Sequence, residues 1–457
     1  MRDKLKIFLW ILIMGTSCHA QFGSRQIIDQ NSGTVRMVRT ADFDQDGALD
    51  VAVSSFDRIA LYKNLDGLGT FSAPISIQEG KKQSFSLFPA DIDNDGKIDL
   101  AVSFFDDDEV VWYRNLGNGT FSALQLISNN LLRAAGITGA DLDGDGDLDL
   151  VLGVSNGNGL YWVENLDGAG TFSSRITIDA NISQARTQAI GDIDGDGDMD
   201  ILTNSVGSAY LSWFENVDGL GDFNEQHIID PIGLYENSLS LVDIDGDNDL
   251  DIVSQKTDLV IWRENLNGLG QFDYYNIISN EALNIFDTTS ADLDNDGDVD
   301  VLSASTDDNK IAWYRNEDGM GGFGPQNIID PNLQSPRTVH AADLDNDGDL
   351  DILSAALSNQ NRELVWYENL TILGVEGSEL ETNVTLYPNP VINTLQLNTQ
   401  EKTIDQINIY TITGSNVLQL EVNTVSPTVD VSSLAAGVYY VQLYSGKKVA
   451  LKKFIKE

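Results

Sequence analysis

DFDQDGALD, residues 42–50, decides the fold, because the chain repeats it six more times with nearly the same chemistry. The other copies are DIDNDGKID (91–99), DLDGDGDLD (141–149), DIDGDGDMD (192–200), DIDGDNDLD (243–251), DLDNDGDVD (292–300) and DLDNDGDLD (343–351), so successive starts lie 49 to 51 residues apart. Each copy reads D-x-D-x-D-G-x-x-D and sets carboxylates at positions 1, 3, 5 and 9 around a sharp bend. A hard divalent cation takes roughly six to eight oxygens at about 2.3–2.6 Å, which four Asp side chains, the carbonyl of position 7 and water can supply. The expected metal ligands are therefore Asp42, Asp44, Asp46 and Asp50; Asp91, Asp93, Asp95 and Asp99; Asp141, Asp143, Asp145 and Asp149; Asp192, Asp194, Asp196 and Asp200; Asp243, Asp245, Asp247 and Asp251; Asp292, Asp294, Asp296 and Asp300; and Asp343, Asp345, Asp347 and Asp351. This predicts about seven structural calcium ions, one per copy. Position 6 is Gly, or Asn248 in the fifth copy, where a tight bend needs a φ above zero that these two residues tolerate best. Plain polar turns would not explain the pattern, because four unneutralised carboxylates in one bend repel one another.

An EF-hand is excluded by the residues after position 9. That loop runs on to a Glu at position 12 between two helices, whereas here the apolar runs VAVSSF (51–56), LAVSFF (100–105) and ILSAAL (352–357) read as strands. The cage thus closes a β-hairpin. Between cages a second phrase recurs, as in VWYRNLGNGTF (111–121) and IWRENLNGLGQF (261–272), whose Gly-rich centre is a hairpin turn. Trp112, Trp162, Trp213, Trp262, Trp313 and Trp366 recur at one place in it and are expected in the core. Four strands in about 50 residues, repeated, make a propeller blade, and seven cages predict seven blades. The last unit stops at LVWYENL (364–370), without a Gly turn or final strand, while FGSRQIID (22–29) matches the final strand FGPQNIID (323–330) of the unit before it. The N-terminal segment is therefore expected to complete the last blade and remove an open sheet edge.

These motifs resemble the FG-GAP/VCBS repeat family over roughly residues 21–370. The resemblance implies an all-β, seven-bladed propeller with calcium at positions 1, 3, 5 and 9 of each loop, as in integrin alpha chains and many secreted bacterial proteins; Asn248 is the departure from it.

Residues 1–20 carry a basic start (Arg2, Lys4, Lys6), an apolar run from Ile7 to Met14 and small residues before Gln21, the grammar of a secretory signal peptide. No later stretch approaches the roughly 20 apolar residues of a membrane span. Cys18 is the only cysteine, so with cleavage after Ala20 neither disulfides nor thiol chemistry is expected. The net charge of −44, with 71 acidic against 27 basic residues, argues against nucleic acid as a partner. Residues 371–384 break the repeat and read as a linker. From 385 to 457 the charge changes to six Lys against five acidic residues, and alternating runs such as TLQLNT, QINIYTI and VYYVQLY predict a small β-sandwich. Within it YPNP (387–390), IYTITG (409–414), LAAGVYYVQL (434–443) and KKVALKKFIKE (447–457) resemble the C-terminal sorting domain of the Bacteroidetes type IX (Por) secretion system. That resemblance implies the secretion machinery as a partner, and the outer-membrane surface or the medium as destination.

Two classes of function stay open: a monomeric binding or adhesion module for a glycan or extracellular protein, and a propeller-based polysaccharide lyase or hydrolase. Fold alone does not decide between them. After signal cleavage only His227 and His340 remain as histidines, neither in a recognisable catalytic motif, and most carboxylates are committed to the cages. At the end opposite the cages, six residues before each, stand Arg36, Phe85, Ala135, Arg186, Asn237, Phe286 and Arg337. Of these, Arg36, Phe85, Arg186, Phe286 and Arg337 are the candidate ligand contacts, able to grip an anionic or planar-faced group by paired hydrogen bonds and stacking.

Overall fold

The computed structural model describes residues 21–81, 83–208, 210–230, 237–357, 362–370, 384–399, 402–411, 416–435, 437–445 and 448–456. The expected signal peptide and all but the last residue of the expected linker lie outside them.

Seven four-stranded antiparallel sheets occupy residues 26–367. In the first, Val35–Ala41, Asp50–Ser55, Arg58–Tyr62 and Ile75–Glu79 pair in chain order. The innermost strands Val35–Ala41, Ser84–Ala90, Ala134–Ala140, Ala185–Gly191, Leu239–Val242, Ile285–Ala291 and Pro336–Ala342 touch in succession, and the last touches the first. That cyclic order is a β-propeller closed on itself.

The second strands show why the sequence builds this fold. They read DVAVSS, DLAVSF, DLVLGV, DILTNS, DIVSQK, DVLSAS and DILSAA, and nearly every residue is buried. A strand covered on both faces is apolar or small throughout rather than alternating. Each of the seven propeller core clusters is a wedge between two neighbouring sheets; Val38, Val51 and Val53 of the first sheet, for example, pack with Leu344, Leu353 and Trp366 of the last.

The expected core Trp residues are 1–6% exposed. Each of five aromatic side chains stacks under the second Gly of the next blade's turn. A Cβ on Gly69, Gly170, Gly221, Gly270 or Gly321 would lie 2.2–2.5 Å from an indole carbon of Trp366, Trp112, Trp162, Trp213 or Trp262. Only Gly fits there, and its φ is positive at all five.

Closure takes the expected route. Gln26–Asp29 pairs with Leu364–Tyr367, in the register Gln26 to Trp366 and Ile27 to Val365. Gly23 N donates to the Glu368 carbonyl (2.7 Å), Arg25 lies 2.7 Å from Asp330, and Phe22 meets Trp313 edge-on.

The C-terminal unit has a three-stranded sheet (Thr385–Tyr387, Thr394–Asn398, Thr428–Asp430) and a four-stranded one (Thr403–Thr411, Asn416–Val425, Gly437–Ser445, Lys448–Lys456). Both feed one core, with Leu395, Leu397, Ile407, Ile409, Val441, Leu443 and Phe454 buried. Val384, assigned to the linker by its sequence, is 3% exposed in that core. A single apolar residue beside a polar run gives no periodicity to reveal it.

Candidate functional site

Each D-x-D-x-D-G-x-x-D loop joins the first strand of its blade to the second, so all seven lie at one end of the ring. The loop is folded by its own carboxylates. The position 1 Asp accepts the amide of position 6 at 2.8–3.1 Å, as in Gly47 to Asp42, and Asn248 donates to Asp243 in the same way. The position 5 Asp accepts the amide of position 7 at 2.8–3.1 Å. Position 6 has a positive φ in every copy, 72° at Asn248, as expected. Position 4 does too, at Gln45, Asn94, Gly144, Gly195, Gly246, Asn295 and Asn346, which the motif's spacing does not reveal.

Position 9 has a second task. Asp50, Asp99, Asp149, Asp200, Asp251, Asp300 and Asp351 are at most 1% exposed. In each, one oxygen accepts the amide of position 2 (2.9–3.2 Å) and the other the amide of the Asn that ends the third-strand phrase (2.6–2.9 Å). The side chain of that Asn then crosses to the neighbouring blade. Asn64, Asn115, Asn165, Asn216, Asn265, Asn316 and Asn369 donate Nδ2 to the position 2 carbonyls of Leu344, Phe43, Ile92, Leu142, Ile193, Ile244 and Leu293, at 2.7–2.9 Å. Every cage is thereby bonded to the blade after it, and Asn64 to Leu344 carries the chain of bonds across the closure. In the sequence this Asn reads only as part of a turn; its presence in all seven copies is the signal that could have marked it.

Carboxylate oxygens of positions 1, 3 and 9 gather within 4.8 Å of one another in the first four cages, at Asp42, Asp44 and Asp50 and their equivalents. Such buried acidic clusters could hold metal ions. Burial, opposed by the two amide hydrogen bonds, pushes the position 9 carboxyls up: Asp50 to about 6, Asp99, Asp149, Asp200, Asp251 and Asp300 to about 7, Asp351 to about 8. A carboxylate so placed is held ionised only by compensating positive charge. Asp44, Asp93, Asp294 and Asp345, all at position 3, each keep a buried Oδ1 without a hydrogen-bond partner. An all-oxygen donor set with unfilled buried lone pairs fits a calcium ion, and would supply it with ligands from positions 1, 3 and 9.

At the other end the inner strands surround a cavity of about 380 Å³, lined by Phe85, Arg186, Asn237, Arg39, Asp287 and His340 among others. Of the expected contacts, Phe85 and Arg186 line it directly. Arg36 lies over the Phe85 ring, 5.2 Å from its centroid, and Arg337 over Phe286 at 4.8 Å, so four of the five form cation–π pairs across neighbouring blades. Burial and then the charges of Arg337 and Arg186 lower the Arg36 pKa, which places Arg36 in the field of the other two guanidiniums. Ala135 is buried. Deeper in the channel, burial pushes Asp287 up to about 6 against the pull of the Val339 amide (3.0 Å) and of Arg39, while burial and Arg39 push His340 down to about 3. His340 Nε2 shares a hydrogen bond with Thr40 (2.9 Å). Nothing in the sequence singles out Arg39, Asp287 or His340 as part of a site.

The chain is similar in fold to a lectin from Agrocybe aegerita, solved for its specific recognition of non-reducing terminal N-acetylglucosamine, at 19% identity and a TM-score of 0.52 over 74% of this chain and 86% of that one. It is similar also to the extracellular domain of a one component system from B. thetaiotaomicron, at 10% identity and a TM-score of 0.50 over 95% of this chain and 59% of that one. None of the curated proteins is similar enough to be matched to it. Residues 385–457 match the secretion system C-terminal sorting domain, which marks the chain for export through the type IX machinery to the cell surface or the extracellular space. Among the described residues no helix is long and apolar enough to cross a membrane. Five stretches, the overlapping 42–102, 91–152, 141–203 and 192–254 and the separate 292–354, match the FG-GAP-like repeat, and with its carboxylate loops closing four-stranded blades the chain belongs to that family.

Proposed function

We propose that the exported propeller is a calcium-stabilised binding module that takes an anionic or planar-faced group of a glycan or extracellular protein at the mouth opposite the cages. The observation that carries this reading is the convergence of Arg36, Arg186 and Arg337 on one end of a chain with a net charge of −44. Three like charges brought together in a half-buried setting oppose folding, and a ligand carboxylate, sulfate or phosphate would reverse that cost by charge-assisted hydrogen bonds. The aromatic faces of Phe85 and Phe286 beside them offer stacking. The fold likeness to a sugar-binding lectin supports the binding class without naming the sugar.

A polysaccharide-degrading enzyme is the second reading, favoured by the meeting of Asp287, with its raised pKa, and a neutral His340 in the channel below the mouth. Asp287 is the group placed to donate a proton near the working pH, whereas His340, held down to about 3, is a weak proton acceptor. A glycan and matrix-protein array probed with residues 21–370 separates the two. Retention without product release is the expected result, with Arg186→Ala and Arg337→Ala each weakening a hit roughly 10-fold or more, the loss of a charge-assisted bond. Undiminished binding in both variants would move the site elsewhere, and released saccharide would replace the binder with the enzyme.

A further inference from the structure

The residue directly before the blade-linking Asn stands beside position 3 of its own cage, and it is of two opposite kinds. In three blades it is a cation. Lys63 Nζ lies 3.0 Å from Asp44. Arg114 pairs through Nε with Asp93 and through Nη2 with Asp95 at 3.0 Å. Arg315 pairs with Asp294 at 2.7 Å and with Asp296 at 2.8 Å. In the other four blades it is Glu164, Glu215, Glu264 or Glu368. The register of the repeat sets each of these Glu at the place that Lys63, Arg114 and Arg315 hold beside their own cages.

Position 7 sharpens the division. It is Ala48 in the first cage and Lys97 in the second, where Nζ sits 2.7 Å from Asp95, and Asp in the other five. Counting the four cage carboxylates, position 7 and the residue before the Asn, the first, second and sixth cages carry formal charges of −3, −2 and −4. The third, fourth, fifth and seventh carry −6 each.

We infer that the seven calcium cages form two affinity classes: four tight ones, where a Glu adds negative charge, and three weak ones, where a Lys or Arg already bound to the ligand carboxylates competes with the ion. The inference rests on the calcium reading proposed above. Affinity of an oxygen cage for calcium rises with the charge of its ligands, and an ammonium or guanidinium on a ligand oxygen must be displaced or must share it. The weak cages are still cages: Asp93 is 4% exposed and its Oδ1 has no hydrogen-bond partner even with Arg114 on the other oxygen. In the ion-free state the cation neutralises part of its loop, so blades 1, 2 and 6 lose less when calcium is withdrawn.

Calorimetric titration of the chelator-stripped full chain with calcium chloride tests this. Four ions should bind first and three more at a calcium concentration about 10-fold or more higher. The variant Lys63→Glu, Arg114→Glu, Arg315→Glu should move the first and sixth cages into the tight class and leave only the second, where Lys97 stays on Asp95, as a weak site. Glu164→Gln, which keeps the side chain's size and is expected to fold even where the triple variant does not, should lower the affinity of one of the four tight sites and leave the other three unchanged. Seven equivalent sites in the native chain, or an isotherm unmoved by Glu164→Gln, would overturn the two classes and leave the calcium reading standing. Heat of binding absent altogether would overturn both.

Discussion

At the cage end of the propeller one set of bonds is repeated seven times: the position 9 Asp to two amides, and the Asn side chain to the preceding blade's loop. At the mouth the corresponding seven places hold four residue types, Arg36, Phe85, Ala135, Arg186, Asn237, Phe286 and Arg337, with no bond common to all. The difference separates two tasks. A ring closes only if each blade meets its neighbour at the same angle, so the end that carries the linking bonds has to be uniform. The end without them is left to vary, and a rigid scaffold with irregular loops is how folds commonly present a binding surface.

Withdrawing calcium should break that contrast most forcefully. A site held at a hundredfold excess over its Kd contributes about 2.7 kcal/mol to the folded state, so chelation across several cages should lower the melting temperature on the order of 20 °C. Acid should act with opposite signs on the two forms. In the ion-free chain burial holds the position 9 carboxyls at about 6 to about 8, above the ordinary carboxylate value near 3.9. A carboxyl whose folded pKa is raised adds stability at low pH and loses it as pH rises through the folded value. The chelated chain should therefore melt higher at about pH 5 than at about pH 8. The loaded chain should melt lower, because its ligands must be deprotonated to hold the ion. Scanning calorimetry at the two pH values, with and without chelator, reads both effects, and parallel curves would mean that the cages do not exchange protons for calcium.

A smaller effect separates the two ends by single substitutions. Asp300→Ala orphans the buried amides of Leu293 and Asn316, at about 1–3 kcal/mol each. Arg337→Ala gives up a half-exposed stacking contact on Phe286, about 0.5–1 kcal/mol. Denaturant unfolding should rank the two in that order, and equal losses would erase the distinction between scaffold and mouth.

Much of this was legible in the sequence for a physical reason: an oxygen cage for a hard cation has to place its carboxylates at fixed offsets, so Asp42 to Asp50 announces itself locally. The strand grammar after it, the buried Trp series and the match of FGSRQIID to FGPQNIID carried the blades and the closure in the same way. What stayed hidden depends on partners far away in the chain. Asn265 donates to Ile193, 72 residues earlier, and Arg36 stacks on Phe85 in the next blade. No local period encodes such pairs. The positive φ at position 4 was obscured differently, since Gln45 and Asn94 stand where other copies carry Gly. Asp287 carried no signal and His340 stood only as a histidine outside any catalytic motif, because a channel collects single residues from separate blades.

The number of ions held by the folded chain is the most direct test of the division between a calcium scaffold and a free mouth. A native mass spectrum of the exported chain, sprayed from a buffer with millimolar calcium, should show a mass excess of seven calcium ions, one for each cage. That excess should vanish after chelator treatment. A folded chain that carries no calcium in that spectrum would contradict the account, because its seven buried carboxylate cages would then be held together by the protein alone.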